Sequence, residues 1–485
     1  MSHSSVDHHC SSINHQQLLS RLLKILPVGS VLHESEDLRP YECDALAAYR
    51  QLPLMVVLPD SVEQVQQILR LCHEINLPVV ARGAGTGLSG GALPNTQGLL
   101  LSMAKFKNIL AVDQHLCLAR VQPGVRNLAI SQAAEQYDLY YAPDPSSQIA
   151  CTIGGNVAEN SGGVHCLKYG LTVHNIQQLK ILTIEGELIT IGGSGLDSPG
   201  YDLLALMTGS EGMLGIIIEV TVKLLVKPEC VQTLLAAFDN IAKAANAVAD
   251  IIAAGIIPAG LEMMDKLAVK AAEDFVHAGY PEDAEAILLC ELDGTQAQVQ
   301  EELDKACKVL SLSGAIDVQI AKTELERKKM WAGRKSAFPA VGRISPDYYC
   351  MDGTIPRRYL AKVLKRIEQL AEYYGLVVAN VFHAGDGNLH PLIMYDANEK
   401  NSLEKTEKFG ADILKYCVKV GGVLTGEHGV GVEKRELMCE MFNNNDIQQQ
   451  IKIKKALDAS SLLNPGIRCS DSRSTSKARK TRETC

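Results

Sequence analysis

Apolar positions along the chain change their period several times, and those changes divide it. The run Leu54-Met55-Val56-Val57-Leu58 is continuously apolar and stops at Pro59, as a buried strand does. Ser61 with Gln64 three places on reads as a capping box, and Val62, Val65, Ile68, Leu69 and Cys72 then share one helical face, which predicts a helix to about Glu74. Leu77 to Ala81 predicts a second buried strand, so an α/β layer opens here. Leu179 to Ile184 and Glu187 to Ile191 read as strands joined by the turn Glu185-Gly186, and an apolar run covers Met213 to Leu225. Past about Pro228 the chain turns Ala-rich and helical over Ile241 to Ala254 and Gln296 to Leu310, with strands such as Ala286 to Leu292 between them. The expected class is α+β. The expected layout is an N-terminal segment over 1–50, a first domain over 51–228, a second over 229–468 that stops at Leu462-Leu463-Asn464-Pro465-Gly466, and a disordered polar tail over 469–485.

Glycine sharpens the picture of the first domain. Arg82-Gly83-Ala84-Gly85-Thr86-Gly87-Leu88-Ser89-Gly90-Gly91-Ala92 leaves backbone N–H groups free to face an anion, as a pyrophosphate cradle does. Gly85, Gly87 and Gly90 match G-x-G-x-x-G, but Leu93-Pro94-Asn95 follows where a nicotinamide-binding fold opens a helix. A plain Gly-rich turn between strands explains this loop alone as well as phosphate binding does. The second Gly-rich segment tips the balance: Pro143-Asp144-Pro145-Ser146-Ser147, then Ile153-Gly154-Gly155-Asn156 and Asn160-Ser161-Gly162-Gly163, is too much close-approach backbone for a connector. One extended ligand touching both loops is expected.

Composition narrows the function. At 485 residues the chain holds about three domains of ~150 residues, and 46% apolar content can fill their cores. A net charge of −9 argues against nucleic acid and for small-molecule chemistry. Fourteen cysteines lie singly with no C-x-x-C, which fits reduced cytosolic thiols and offers no iron–sulfur cluster. The longest N-terminal apolar stretch, Leu18 to Leu26, is broken by Ser20, Arg21 and Lys24, so neither a signal peptide nor a membrane span is read and a cytoplasmic protein is expected. His3, His8, His9 and Cys10 sit in a polar lead and are given no role.

The richest stretch is Val381-Phe382-His383-Ala384-Gly385-Asp386-Gly387-Asn388-Leu389-His390, two apolar strands hinged on a Gly-rich turn with an imidazole on each side. Thr425-Gly426-Glu427-His428-Gly429-Val430-Gly431 adds a carboxylate and a third imidazole. His383, His390 and Glu427 make a three-ligand divalent-metal site with open positions, suited to zinc, manganese or iron. Asp386 serves the turn, and His165 and His174 are read as local structure.

Together the Arg82 to Ala92 loop, the Pro143 to Gly163 segment, His383-x-Gly-Asp-Gly-Asn-x-His390, Glu427-His428-Gly429 and Leu463-Asn464-Pro465-Gly466 resemble the FAD-linked oxidases of the vanillyl-alcohol-oxidase (PCMH) type that act on 2-hydroxy acids, over about residues 50–468. Trp331-Ala332-Gly333-Arg334-Lys335 and Arg343 to Thr354 look most like the catalytic subunits of bacterial glycolate oxidases, with D-lactate and D-2-hydroxyglutarate dehydrogenases as cousins. The resemblance implies a two-part FAD-binding domain and a C-terminal cap carrying the metal and catalytic loops. It implies FAD with its pyrophosphate on Gly83 to Gly91, including Gly83, Ala84, Gly85, Thr86, Gly87, Ser89, Gly90 and Gly91 beside Arg82, and with further contacts at Pro143, Ser147, Gly154, Gly155, Asn160, Ser161 and Asn464. Covalent tethering in the family uses a His in the first loop or a suitably placed Cys; Ser89-Gly90-Gly91-Ala92 offers neither, so dissociable FAD is expected. It also implies an iron–sulfur subunit and a second FAD-binding subunit as partners, and membrane contact that is at most peripheral. Phe338 and Cys350 stand where the D-2-hydroxyglutarate enzymes carry a Thr and a Lys for the substrate, which favours a small substrate without a second carboxylate.

In the chemistry expected of these residues, glycolate is oxidised to glyoxylate, the cation binds substrate hydroxyl and carboxylate, and His428 takes the hydroxyl proton. Arg334 is the first candidate to grip the carboxylate and Arg343 the second. D-lactate is the neighbouring substrate. Two other classes stay open: a metal hydrolase without redox chemistry, and an FAD-binding assembly subunit that does not turn over.

Overall fold

In this computed structural model the described residues are 14–467, except 194 and 196–199, so the expected tail and the His-rich lead lie outside them. The first layer is a small sheet in the order Val31–Leu32, Met55–Val57, Leu99–Ser102, Val79–Arg82, with the last three strands parallel. Helix Val62–Glu74 begins as its sequence predicts: Ser61 Oγ accepts from Gln64 N at 3.3 Å, and Val65, Ile68, Leu69 and Cys72 are buried. A five-stranded antiparallel sheet follows, in the order Ile109–Asp113, Leu118–Val121, Ile216–Lys223, Ile176–Leu182, Leu188–Gly192. Helices Asn127–Ala134 and Ile153–Glu159 pack on it. The second of these runs through the second Gly-rich segment, for which the sequence reading named no element.

The cap is an eight-stranded antiparallel sheet, Asp317–Ile320, Cys230–Phe238, Ala286–Gly294, Gly260–Asp265, Val378–His383, Asn388–Tyr395, Asp347–Cys350, with Gly353–Thr354 beside Asn388–Tyr395. Both of its faces are covered, which is why its central strands read as unbroken apolar runs rather than alternating ones. Leu234, Ala236 and Phe238 enter one core with helices Ile241–Ala253, Gln296–Leu312, Leu360–Tyr374 and Ser402–Lys419; Leu235 and Ala237 enter the other with Lys266–Val276.

Both ends of the described chain return to the first layer. Leu18, Leu22 and Leu26 fill its core, so residues 14–50 are packed structure, and Leu46 reaches the cap core. At the other end Val79 N donates to Leu462 O and Asn464 N to Val79 O, each at 2.8 Å, adding a rung beside the strand that feeds the first Gly-rich loop. One ion pair fixes that return. Lys454 Nζ lies 2.5 Å from Asp458 Oδ2 and donates to Met213 O and Leu463 O, while fully buried Asp458 accepts from Leu462 N and Leu463 N. Among the described residues every cysteine is a free thiol, and no helix is long and apolar enough to cross a membrane.

Removing Asp458 strands a largely buried ammonium and two backbone donors. Asp458→Ala is expected to cost about 3–5 kcal/mol, read as a lower urea midpoint.

Candidate functional site

The hairpin places two imidazoles on one face by register alone. His390 pairs across with Val381, and His383 lies two residues beyond Val381 on the same strand, so both rings leave the sheet on one side. Their centroids are 5.0 Å apart at 89°, and both are almost fully buried. At the turn Asp386 Oδ1 accepts from Asn388 N at 2.9 Å, while Gly387 (φ +82°) sits where a Cβ would overlap Ile355 O.

Glu427 and His428 arrive on a loop that two carboxylates hold, Asp352 and Glu211. Asp352, with no exposure, accepts from Thr425 Oγ1, from Gly426 N at 3.1 Å, from Glu427 N at 3.1 Å and from His428 N at 2.9 Å. Fully buried Lys434 lies 3.4 Å from Asp352 Oδ2 and donates to Gly429 O at 3.0 Å. From the first domain Glu211 accepts from Val430 N and Gly431 N at 2.9 and 2.8 Å, and Ser89 Oγ donates to His428 O at 2.8 Å. Burial disfavours charge on Asp352, yet facing His428 and Lys434 hold its carboxyl down at about 2.

Glu427 Oε1 then lies 3.3 Å from His383 Nε2 and 3.0 Å from His390 Nε2. As the side chains stand, these groups share protons. Burial opposes charge on His383, but Glu262 and Glu427 lift it well above its usual value; His390 is lifted to about 10 against the same opposition by Cys350 and Glu427. The donor set also fits a divalent cation, since one ligand atom from each of the three lies within 4.8 Å of the others. Each ring's second nitrogen is already engaged, His383 Nδ1 with Glu262 at 2.9 and 3.0 Å and His390 Nδ1 with Met351 O at 3.2 Å, which turns both Nε2 atoms toward Glu427. His428 stacks on His390 at 5.0 Å and 10°. Burial pushes its pKa down to about 4, so the ring is neutral at neutral pH, and its Nδ1 has no protein partner.

These groups line a cavity holding about 1410 Å³ of atom-free space, part of it open to solvent. Its wall includes Arg82, Gly83, Ala84, Gly85, Thr86, Gly87 and Gly91 from the first loop and Ser147, Gly154, Gly155 and Ser161 from the second, together with His383, His390, Glu427, His428 and Phe338. The lining fits an extended dinucleotide: Thr152 Oγ1 on this wall is buried without a partner, and Gly83 keeps the loop where any Cβ would meet that oxygen. Ser89, Gly90, Pro143, Asn160 and Asn464 are outside the wall. Asn464 braces from behind, its amide donating to Gly91 O at 2.7 Å and Glu211 O at 2.6 Å; Pro143 O accepts from Asn127. The Arg82 guanidinium donates to Tyr41 O and Cys43 O, so part of its donor capacity is spent on main-chain oxygens.

Neither expected carboxylate clamp reaches the wall. Arg343 is exposed, donates to Asp274 O at 3.0 Å and lies over the Phe275 ring, so the structure removes it from the site. Arg334 is buried one layer behind, with Nη2 2.6 Å from Glu262 Oε2, because helix Glu324–Lys335 turns its side chain toward strand Gly260–Asp265. Glu262 is the residue that sequence reasoning missed. A charged residue inside the apolar run Gly260–Asp265 was the available signal.

The sequence profile described as FAD linked oxidases, C-terminal domain, matches residues 227–467, and the one described as FAD binding domain matches 53–192. Glycolate oxidase subunit GlcD of Escherichia coli (strain K12) is 61% identical over 94% of this chain and 91% of its own. The protein of that name from Bacillus subtilis (strain 168) is 40% identical over 88% and 91%, and a D-lactate dehydrogenase of Anaerostipes hadrus 32% over 93% and 97%. In solved structures, p-cresol methylhydroxylase with substrate bound has a TM-score of 0.79 at 17% identity, covering 93% of this chain and 96% of that one.

A carboxyl with a depressed folded pKa stabilises above its ordinary value of 3.8 and loses that contribution as pH falls toward 2. For Asp352 the contribution is about 2 kcal/mol. The stability gap between the unaltered protein and Asp352→Asn, measured by urea unfolding, is therefore expected to narrow between pH 5 and pH 2.

Proposed function

The chain belongs to the FAD-linked oxidases, with their two-part PCMH-type fold, and from that premise we propose that it oxidises glycolate to glyoxylate. The observation that carries the reading is the meeting of His383, His390, Glu427 and a neutral His428 in the cavity lined by both Gly-rich loops. It is supported by 61% identity to a glycolate oxidase subunit across nearly the whole chain.

FAD along the cavity would supply the two-electron acceptor that no side chain provides. A divalent cation held by His383, His390 and Glu427 (zinc, manganese or iron by donor type) would lower the pKa of the substrate hydroxyl. His428 takes that proton, being neutral at working pH and held flat against His390. Glu262 fixes the His383 ring through Nδ1, and Arg334 keeps Glu262 in place, so Arg334 acts as a positioning residue. Phe338, packed edge-on against His390 at 6.2 Å, puts an apolar ring in the wall beside the proposed metal ligands, which supports a substrate without a second carboxylate. Cys151 also lines the cavity, but burial raises its thiol pKa, which makes it a poor nucleophile and supports dissociable FAD.

The similar GlcD proteins are named as subunits, and this sequence has no C-x-x-C. Electrons therefore pass, in this reading, to an iron–sulfur subunit and a second FAD-binding subunit, with any membrane contact made through them at the cytoplasmic face.

The deciding experiment is the anaerobic visible spectrum of the purified protein before and after adding glycolate or D-lactate. Flavin bands bleached faster by glycolate support the proposal; faster bleaching by D-lactate transfers the assignment to that substrate, and flavin bands that neither bleaches sink it. His428→Ala is expected to slow bleaching by about 10²–10⁴-fold while the flavin bands stay intact, measured by stopped flow. Phe338→Ala is expected to raise the rate with D-lactate relative to glycolate by about 10-fold, since one methyl group in an apolar pocket discriminates by that order.

A further inference from the structure

We propose that Cys350, His390 and His428 form a second cation position, softer than His383–His390–Glu427 and exclusive of it, that takes a thiophilic divalent ion such as zinc or cadmium. The sheet register puts the first two donors together: Cys350 pairs with Leu392, and His390 lies two residues from Leu392, so thiol and imidazole leave the same face. His428 supplies the third donor from the stacked ring. One ligand atom from each of the three lies within 4.8 Å of the others, in a pocket where Cys350 is 3% and His390 1% exposed.

Sharing makes the two positions exclusive. His390 belongs to both donor sets, and because a carbonyl only accepts, its Nδ1 donates to Met351 O and leaves Nε2 as the ring's one coordinating atom, so an ion in one position takes it from the other. His428, by contrast, has a buried Nδ1 with no protein partner, so it has a donor atom to give. The donor sets also differ in kind. Two imidazoles and a carboxylate suit manganese, iron or zinc, whereas a thiolate with two imidazoles favours softer ions, and three ligands leave a fourth place for water. Binding displaces two protons to solvent, one from the Cys350 thiol and one from His390 Nε2. An ion there takes up the proposed base and withdraws His390 from the other position, a consequence that rests on the proposed function; the donor set itself does not.

The test is zinc K-edge X-ray absorption on the FAD-loaded protein, stripped of metal and given one equivalent of zinc. A sulfur scatterer at about 2.3 Å is expected, and its loss in both Cys350→Ser and Cys350→Ala. Nitrogen and oxygen scatterers alone, or a sulfur shell that survives both substitutions, would overturn the proposal. Glu427→Gln removes a ligand from the first position only, so the sulfur shell must persist there; its disappearance is equally fatal and does not depend on the cysteine variants folding. Manganese read by electron paramagnetic resonance tests the first position separately, with binding expected to be lost in Glu427→Gln and kept in Cys350→Ser. A failure of that reading would show in the manganese signal and not in the zinc spectrum.

Discussion

Asp352 takes the backbone donors of three successive residues, Gly426, Glu427 and His428, together with a threonine hydroxyl, and faces the fully buried Lys434. A loop rich in glycine has many conformations to lose, and fixing it costs of order 1–2 kcal/mol per residue. Charge-assisted hydrogen bonds to one ion meet that cost in the place where two side chains must be set to within a fraction of an ångström. The cap sheet supplies His383 and His390 by register, which is rigid. Only the Glu427-His428 loop needed an anchor, and its anchor lies in the same sheet region, between strands Asp347–Cys350 and Gly353–Thr354.

The first domain and the cap meet in this loop. Glu211 and Ser89, from the domain that carries the Gly-rich loops, grip Gly431, Val430 and His428 from the other side. A second clasp runs nearby: His165 spans Asp144 and Glu291 at 2.9 and 3.2 Å, and Tyr169 donates to Asp293 at 2.6 Å. Glu291 and Asp293 are two apart on one strand, and His165 and Tyr169 four apart on a helical turn, so the two periodicities match across the interface. The cavity is formed between two bodies held at separate points, which keeps the distance from the glycine loops to the imidazoles fixed.

Local signals in the sequence carried far. The helix at Val62–Glu74, the hairpin at Val378–Tyr395 and the turn role of Asp386 follow from capping, period and turn chemistry within ten or so residues. What could not be read is whatever depends on a partner far along the chain. Arg334 has the right fork for a carboxylate, and which carboxylate it meets was decided by Glu262, a residue on a strand that reads as apolar. Arg343 sits in a motif-like stretch yet faces solvent, because its short helix Ala337–Val341 ends before it. The helix Ile153–Glu159 escaped because two glycines at its start lower local propensity, while burial of Ile153 and Val157 against the second sheet decides its form.

The rung that Leu463 adds beside Val79 bears on how the protein comes into being. Residues on the two sides of that rung lie far apart along the chain, and contacts of such sequence separation are slow to form. Until Asn464 leaves the ribosome, Gly91 lacks the amide that holds its carbonyl and the Val79–Arg82 strand has an open edge. The first Gly-rich loop is therefore braced only after translation has passed His383, His390, Glu427 and His428, so a ribosome-bound chain carries those four side chains before the loop that shares their cavity is held.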